Sequence, residues 1–392
     1  MKSNLPARPT VSIHHGAAPS IMAKAALSEA VRPDIIKGKN VLIKPNIGFK
    51  SEPAHGVVTH PEVVSGVLEW VKEAGAAGIV VGDSCIYGVN AADAFVSSGI
   101  LEVTERHNVR MLQLDQARPV ELTVDDPYIV ESVKVSSIAK EVDIIISVPV
   151  IKAHMHAGAT LSLKNMKGVL YRREKMRMHH LKDKKKFKKW SKWKTLDRAI
   201  ADLNGVMLPQ IVVIDGIVIM EGMGPLIGNP RPLGVVVASE DALAADIVCR
   251  EMIGFSKEDV PHIELMAIKQ GRPNFSVEDI DLDYALLSKL KTPIKHAIPQ
   301  DVSAEYPYFI ITNKDACSAC DSTAMAFLKT FGSDYEGKNK VQIAFGNGVT
   351  KKDIKLSRCI MLGNCTVSLK DKGIFLPGCP PIPSDIKRAL EK

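Results

Sequence analysis

Five apolar runs set the limits on how this chain folds: VLIKPN (41–46), IVVGDS (79–84), VDIIISVPVIKAH (142–154), IVVIDG (211–216) and LGVVVASED (233–241). Each is short, rich in β-branched residues and closed by polar side chains, the pattern of strands covered on both faces. Between the first two lies HPEVVSGVLEWVKEAGA (60–76), whose apolar residues recur at helical spacing and which ends near a glycine. THP (59–61) reads as its start, with Thr59 or His60 as the cap before Pro61. Strands alternating with helices predict an α/β fold with a largely parallel sheet as its core. In such sheets ligands gather beyond the carboxyl ends of the strands. Lys44, Asn46, Asp83, Ser84, Lys152, His154 and Asp215 fall there.

The texture changes after KTPIKHAIPQD (291–301). Short strands YFIIT (308–312), VQIAF (341–345) and CIML (359–362) surround one helix after CSAC (317–320), and a charged helix closes the chain. These predict a core domain over 1–300 and a smaller α+β domain over 301–392 that carries cysteine ligands. At 392 residues and 46% hydrophobic, the chain is long enough for both.

No uncharged apolar run reaches the roughly 18 residues of a membrane span. The start, MKSNLPARPTVSIHHG, has no apolar signal region, so a cytoplasmic protein is expected. The net charge of +7 is unevenly placed. The run from Arg172 to Arg198 holds 13 Lys or Arg against three Asp or Glu, leaving 38 against 41 elsewhere. The protein is thus mildly acidic with one basic insertion, in which Phe187, Trp190 and Trp193 alternate with lysines. Such a run suits a solvated helix with its tryptophans turned inward, or the docking of an acidic redox partner, or a lid over an anionic substrate. A single run without a nucleic-acid-binding fold argues against nucleic acid.

Five of the seven cysteines lie in the last quarter of the chain. Cys317 and Cys320 form a Cys-x-x-Cys pair; Cys365 follows in GNC and Cys379 in GCPP. Four thiolates satisfy a tetrahedral zinc ion or an iron–sulfur cluster. GNC and GCPP are not zinc-ribbon knuckles, which favours the cluster, with structural zinc as the alternative. Cys359 sits in an apolar strand as a small hydrophobe, Cys249 packs on a helix, and Cys85 follows a strand end near a ligand position. The pattern CxxC, GxC, GCPP resembles the proximal-cluster motif of hydrogenase small subunits and of their relatives in respiratory complex I. That resemblance implies a 4Fe–4S cluster on Cys317, Cys320, Cys365 and Cys379.

The densest polar segment is IKAHMHAGATLSLKNMKG (151–168), with Lys152, His154, His156, Lys164, Asn165 and Lys167. Ammonium groups hold carboxylate or phosphate, and imidazole moves a proton near neutral pH. Lys152, His154, Lys164 and Asn165 are therefore the candidate catalytic residues. Lys44, Asn46, Asp83, Ser84 and Asp215 are the candidate substrate contacts. His154 and His156, alternate on a strand, also share a face from which to chelate a metal. MEGMGPLIGNP (220–230) lacks a nucleotide-binding signature.

VLIKPN, the T-x-P helix start, IVVGDS, VDIIISVPVIKAH, LSLKNMKG, IDGIVIMEGMGP and the aspartates of ASEDALAADIV together resemble family 362 of the domains of unknown function, over roughly residues 10–255. The resemblance implies an iron–sulfur protein of the kind found in anaerobic bacteria and archaea, with no established reaction. Two expectations follow. One is an iron–sulfur oxidoreductase acting on a small anionic substrate or cofactor in a Lys/His-lined cleft. The other is an electron-transfer or accessory protein whose cluster is a relay and whose basic run docks a partner.

Overall fold

Residues 8–86, 89–179, 181–316 and 318–391 are described in the structure, a computed structural model. The chain divides into two compact units, 1–296 and 297–392.

The larger unit contains β1 (Ser12–His15), β2 (Asn40–Pro45), β3 (Gly78–Asp83), β4 (Arg110–Gln113), β5 (Pro119–Thr123), β6 (Ser132–Ser136), β7 (Ile144–Val148), β8 (Val150–His154), β9 (Gly158–Thr160), β10 (Ile211–Glu221) and β11 (Asn229–Ser239). Among the described residues nine of them make one sheet in the order β1-β11-β10-β7-β2-β3-β4, with β8 joined to β10 and β9. The β10–β7, β7–β2, β2–β3, β3–β4 and β10–β8 pairings are parallel. β11 runs antiparallel to β1 and β10, as β9 does to β8. The fold is therefore α/β with a largely parallel central sheet, as the alternating pattern requires.

Side-chain alternation along β2 decides what each face receives. Val41 and Ile43 join a core that includes Ala23 and Leu27 of helix Pro19–Ala30 and Val64 and Leu68 of helix Pro61–Glu73. Leu42 and Lys44 point the other way, and both are fully buried. The helix after β2 starts at Pro61, with His60 as its cap: the imidazole Nδ1 accepts from the Glu62 N–H at 3.2 Å.

Two readings of the sequence change in detail. The run 142–154 is two strands, β7 and β8, because Pro149 has no N–H to give a ladder and only its carbonyl is used, by the Asp215 N–H at 2.8 Å. The basic run is not one helix. Helix Glu174–His179 and a 3-10 segment, Lys185–Trp190, precede helix Thr195–Val206. Its tryptophans do turn inward: Trp190 and Trp193 pack on Tyr128, Ala201 and Leu265.

The smaller unit holds β12 (Phe309–Asn313), β13 (Val341–Phe345), β14 (Cys359–Leu362) and β15 (Ile374–Leu376), paired in that order and parallel throughout. Helix Ser318–Phe331 follows β12, and helix Pro383–Leu390 closes the chain.

Candidate functional site

Where β2 and β3 end side by side, Lys44 Nζ lies 2.8 Å from Asp83 Oδ1, with both side chains shut off from solvent. The ammonium also donates to Asn165 Oδ1 at 3.1 Å and to the Pro45 carbonyl at 3.0 Å. Asp83 is held by the Ile47 and Ser84 N–H groups at 2.7 and 2.9 Å. Asn165 is the hub. Its amide nitrogen donates to the Lys44 carbonyl and to Ser147 Oγ, and its oxygen accepts from Lys44 and from Asn46 Nδ2. Asn46 Oδ1 in turn accepts from Lys152 Nζ at 2.7 Å, and Lys152 also donates to the Val57 carbonyl at 2.6 Å. Lys44, Asn46, Asp83, Lys152 and Asn165 are thus one hydrogen-bonded frame.

Glycine at 168 makes room for this frame. A Cβ there would stand 2.0 Å from Asp83 Oδ1 and 2.3 Å from Lys44 Nζ, far inside van der Waals contact. The Gly168 carbonyl accepts from the Ser84 hydroxyl.

Around the frame stand further basic groups. Lys164 bonds to Thr160 Oγ1 at 3.2 Å, and Lys167 Nζ lies 2.6 Å from His179 Nε2. Lys175 donates to the carbonyls of Ser84 and Cys85 at 2.6 and 2.8 Å. His154 Nδ1 accepts from the N–H groups of His156 and Ala157, which leaves the neutral ring's proton on Nε2. Of Lys44, Lys152, Lys164, Lys167 and Lys175, only Lys44 forms an ion pair with a carboxylate among the described residues.

The electrostatics follow from this crowding. Burial lowers the pKa of Lys44, which Asp83 partly restores. Burial, then repulsion from Lys164, takes Lys152 well below the ordinary lysine value, and the same causes act on Lys167. Lys164 falls to about 7 by burial, opposed by Asp197. Lys175 falls to about 8 by burial, opposed chiefly by Asp83. His154 is held well below its usual range by burial and by the cations near it. Buried and half-buried ammoniums gathered without counter-ions are unfavourable unless an anion joins them.

Distant residues hold the segment that carries Lys164 and Asn165. Asp246 accepts from the Ser162 and Leu163 N–H groups at 2.7 and 2.9 Å, and burial raises its pKa to about 7. Asn204 Nδ2 donates to the Leu163 carbonyl at 2.8 Å. Behind Lys164, the fully buried Asp197 bonds to His262 Nδ1 at 3.0 Å.

Asp215 has another partner set. It accepts from the His60 and Ile217 N–H groups at 2.7 and 2.9 Å, tying the start of helix Pro61–Glu73 to a bulge in β10. Burial raises its pKa to about 6. Cys85 donates to the Ile47 carbonyl at 3.0 Å, and burial pushes its thiol up to about 12. Lys175 and His179, which sequence reasoning left inside the basic run, are members of the site. Their signal was proximity, since they follow LSLKNMKG by only a few residues.

In the smaller unit the cysteine segments follow the carboxyl ends of parallel strands. Cys320 lies in the helix after β12, Cys365 just past β14 and Cys379 just past β15. Gly363 N–H donates to the Leu376 carbonyl and Asn364 N–H to the Gly378 carbonyl, both at 2.9 Å. Asn364 Oδ1 accepts from the Gly378 N–H at 2.9 Å, and Thr323 Oγ1 donates to the Pro381 carbonyl at 2.9 Å. Gly363 has φ +87°, and a Cβ there would meet Cys320 Sγ at 2.9 Å. Only a bare α-carbon leaves room for that sulfur. The Gly363 and Gly378 amides are already committed, to the Leu376 carbonyl and Asn364 Oδ1, and are not free to bond a cluster's sulfurs. Cys317 lies outside the described residues. Among the described residues no group of three or more His, Cys, Asp or Glu side chains that would hold a metal ion occurs. Cys359 packs with Ala344, Val349, Met361 and Leu369, its pKa raised by burial to about 11.

The comparisons agree with the strand-end motifs. The model of the family Domain of unknown function (DUF362) matches residues 41–251. The chain belongs to that family. It is 26% identical over 284 residues to a thylakoid-associated protein of Synechocystis sp., covering 70% of this chain and 84% of that one. Among solved structures it is similar to the lactate racemase apoprotein from Thermoanaerobacterium thermosaccharolyticum, at 14% identity and a TM-score of 0.41. That similarity covers 65% of this chain and 60% of the racemase chain. No helix among the described residues is long and apolar enough to cross a membrane.

Proposed function

We propose that the chain is an iron–sulfur oxidoreductase that binds a small anionic substrate at the Lys/His site of its larger unit. The observation that carries the anion-binding part is the set of four lysines, Lys152, Lys164, Lys167 and Lys175, with no carboxylate in ion-pair contact among the described residues. A bound anion supplies the missing charge, and its negative field draws protons onto lysines whose pKa burial has lowered. In this reading Lys44, Asn46, Asp83 and Asn165 position the surrounding lysines. Lys164, at about 7, and His154 exchange protons with the substrate.

Cys317, Cys320, Cys365 and Cys379 would hold a 4Fe–4S cluster, which when bound supplies one-electron transfer. The shared carboxyl end of the sheet, the lacing of the 363–365 and 378–381 segments and the space at Gly363 support this. Protein purified without oxygen should be brown and contain about four iron and four sulfide per chain. A colourless protein with one tightly bound zinc would contradict it.

An exposed lysine face favours a second reading, that of a relay or accessory protein. Lys182, Lys184, Lys185, Lys188, Lys189 and Lys192 are all exposed, a surface suited to an acidic partner. The relative's thylakoid association is in keeping with attachment to a larger assembly. If charge reversal at Lys185, Lys188 and Lys189 abolishes cellular function while Lys164→Met leaves it intact, this reading replaces the first.

A further inference from the structure

We propose that the Lys/His site takes a ligand bearing a phosphate dianion, and that Lys175 and His179, delivered by the start of the basic segment, bind it. The proposal rests on the reading of this site as an anion pocket and narrows it to one chemical class.

Three observations lead there. The first is charge: a monocarboxylate would offset one ammonium, whereas Lys152, Lys164, Lys167 and Lys175 all lack a paired carboxylate among the described residues. The second is donor type. The ring is built of lysines, point charges reaching in from β8, from the 162–169 turns and from helix Glu174–His179. Point charges from several directions match a tetrahedral group with oxygens on every side, while a planar carboxylate is better met by the fork of an arginine. The third is the Lys167–His179 contact. Two basic groups 2.6 Å apart share one proton between them, so the pair is poised to take up another when a dianion arrives. Groups facing Lys167 include Lys164 and Lys175, which in their protonated forms oppose that uptake until the dianion is present.

Basic residues of the insertion thereby serve different surroundings. Lys175 and His179 turn toward the frame, Lys175 reaching the backbone of Ser84 and Cys85. Lys188, Lys189 and Lys192 stay exposed.

The test is isothermal titration calorimetry of the full chain with inorganic phosphate, glycerol phosphate and acetate, in two buffers of different ionisation enthalpy. The expected result is that phosphate or its ester binds at least roughly tenfold tighter than acetate, with net proton uptake. Lys175→Met, His179→Leu and the structurally milder Lys164→Met should each weaken phosphate binding by a similar factor, while Lys189→Met should not. Acetate binding as tightly as phosphate would overturn this proposal but leave the anion pocket standing. Phosphate binding lost in Lys189→Met and kept in the other three would also overturn it, by moving the site to the exposed face. If none of the three anions binds, the pocket reading falls as well.

Discussion

Lys44 Nζ and Asp83 Oδ1 face each other at 2.8 Å across the ends of two adjacent parallel strands, where neither side chain reaches water. Removing one partner strands the other charge in the interior. Asp83→Ala should therefore cost about 3–5 kcal/mol of stability, read as a lower denaturation midpoint. A loss near zero would mean that Lys44 sheds its proton at no cost.

Gly168→Ala tests the packing of the same pair. The new methyl would lie on top of Asp83 Oδ1 and Lys44 Nζ, and both are pinned by other bonds. We expect a loss of about 3 kcal/mol, together with weaker anion binding. Full retention of both would show that the frame gives way easily.

The lysines predict a pH dependence with a definite sign. Lys164 titrates at about 7 and Lys175 at about 8 in the fold, against the ordinary value of 10.5. Over the interval between, the unfolded chain holds more protons than the folded one, so stability rises with pH. Asp215, raised to about 6, has finished titrating by then, and Asp246, raised to about 7, opposes the rise only at its lower end. The melting temperature of ligand-free protein should climb from pH 7.5 to 9.5, and Lys164→Met should flatten the slope. A flat or falling profile in the parent protein would contradict the assignment.

Cysteine variants separate ligands from packing. Cys320→Ser and Cys365→Ser should lose iron and visible colour. Cys359→Ala should keep both and lose only about 1 kcal/mol of core packing, since its thiol lies among apolar neighbours.

Much of this arrangement was legible in the sequence. Apolar runs with polar ends placed Lys44 and Asp83 at strand termini, because a two-sided buried strand leaves only its ends for charge. LSLKNMKG announced Asn165 and Lys164. For Asp215 the sequence showed a strand-end aspartate but not its bonds to the His60 and Ile217 N–H groups, which depend on the fold. The α/β alternation gave no sign of β15, three residues long and only half covered. Lys175 was hidden by its company. In a run of 13 basic residues, composition alone does not tell which side chain turns inward, since only the backbone carbonyls of Ser84 and Cys85 select it.

The most direct measurement is a crystal structure of the full chain soaked with tungstate, a tetrahedral dianion located by its anomalous signal. The account predicts one strong peak within hydrogen-bonding reach of the Lys164, Lys167 and Lys175 ammonium groups. A peak confined to the exposed lysines between 182 and 194, or no peak in a lattice that leaves the site open, would contradict it.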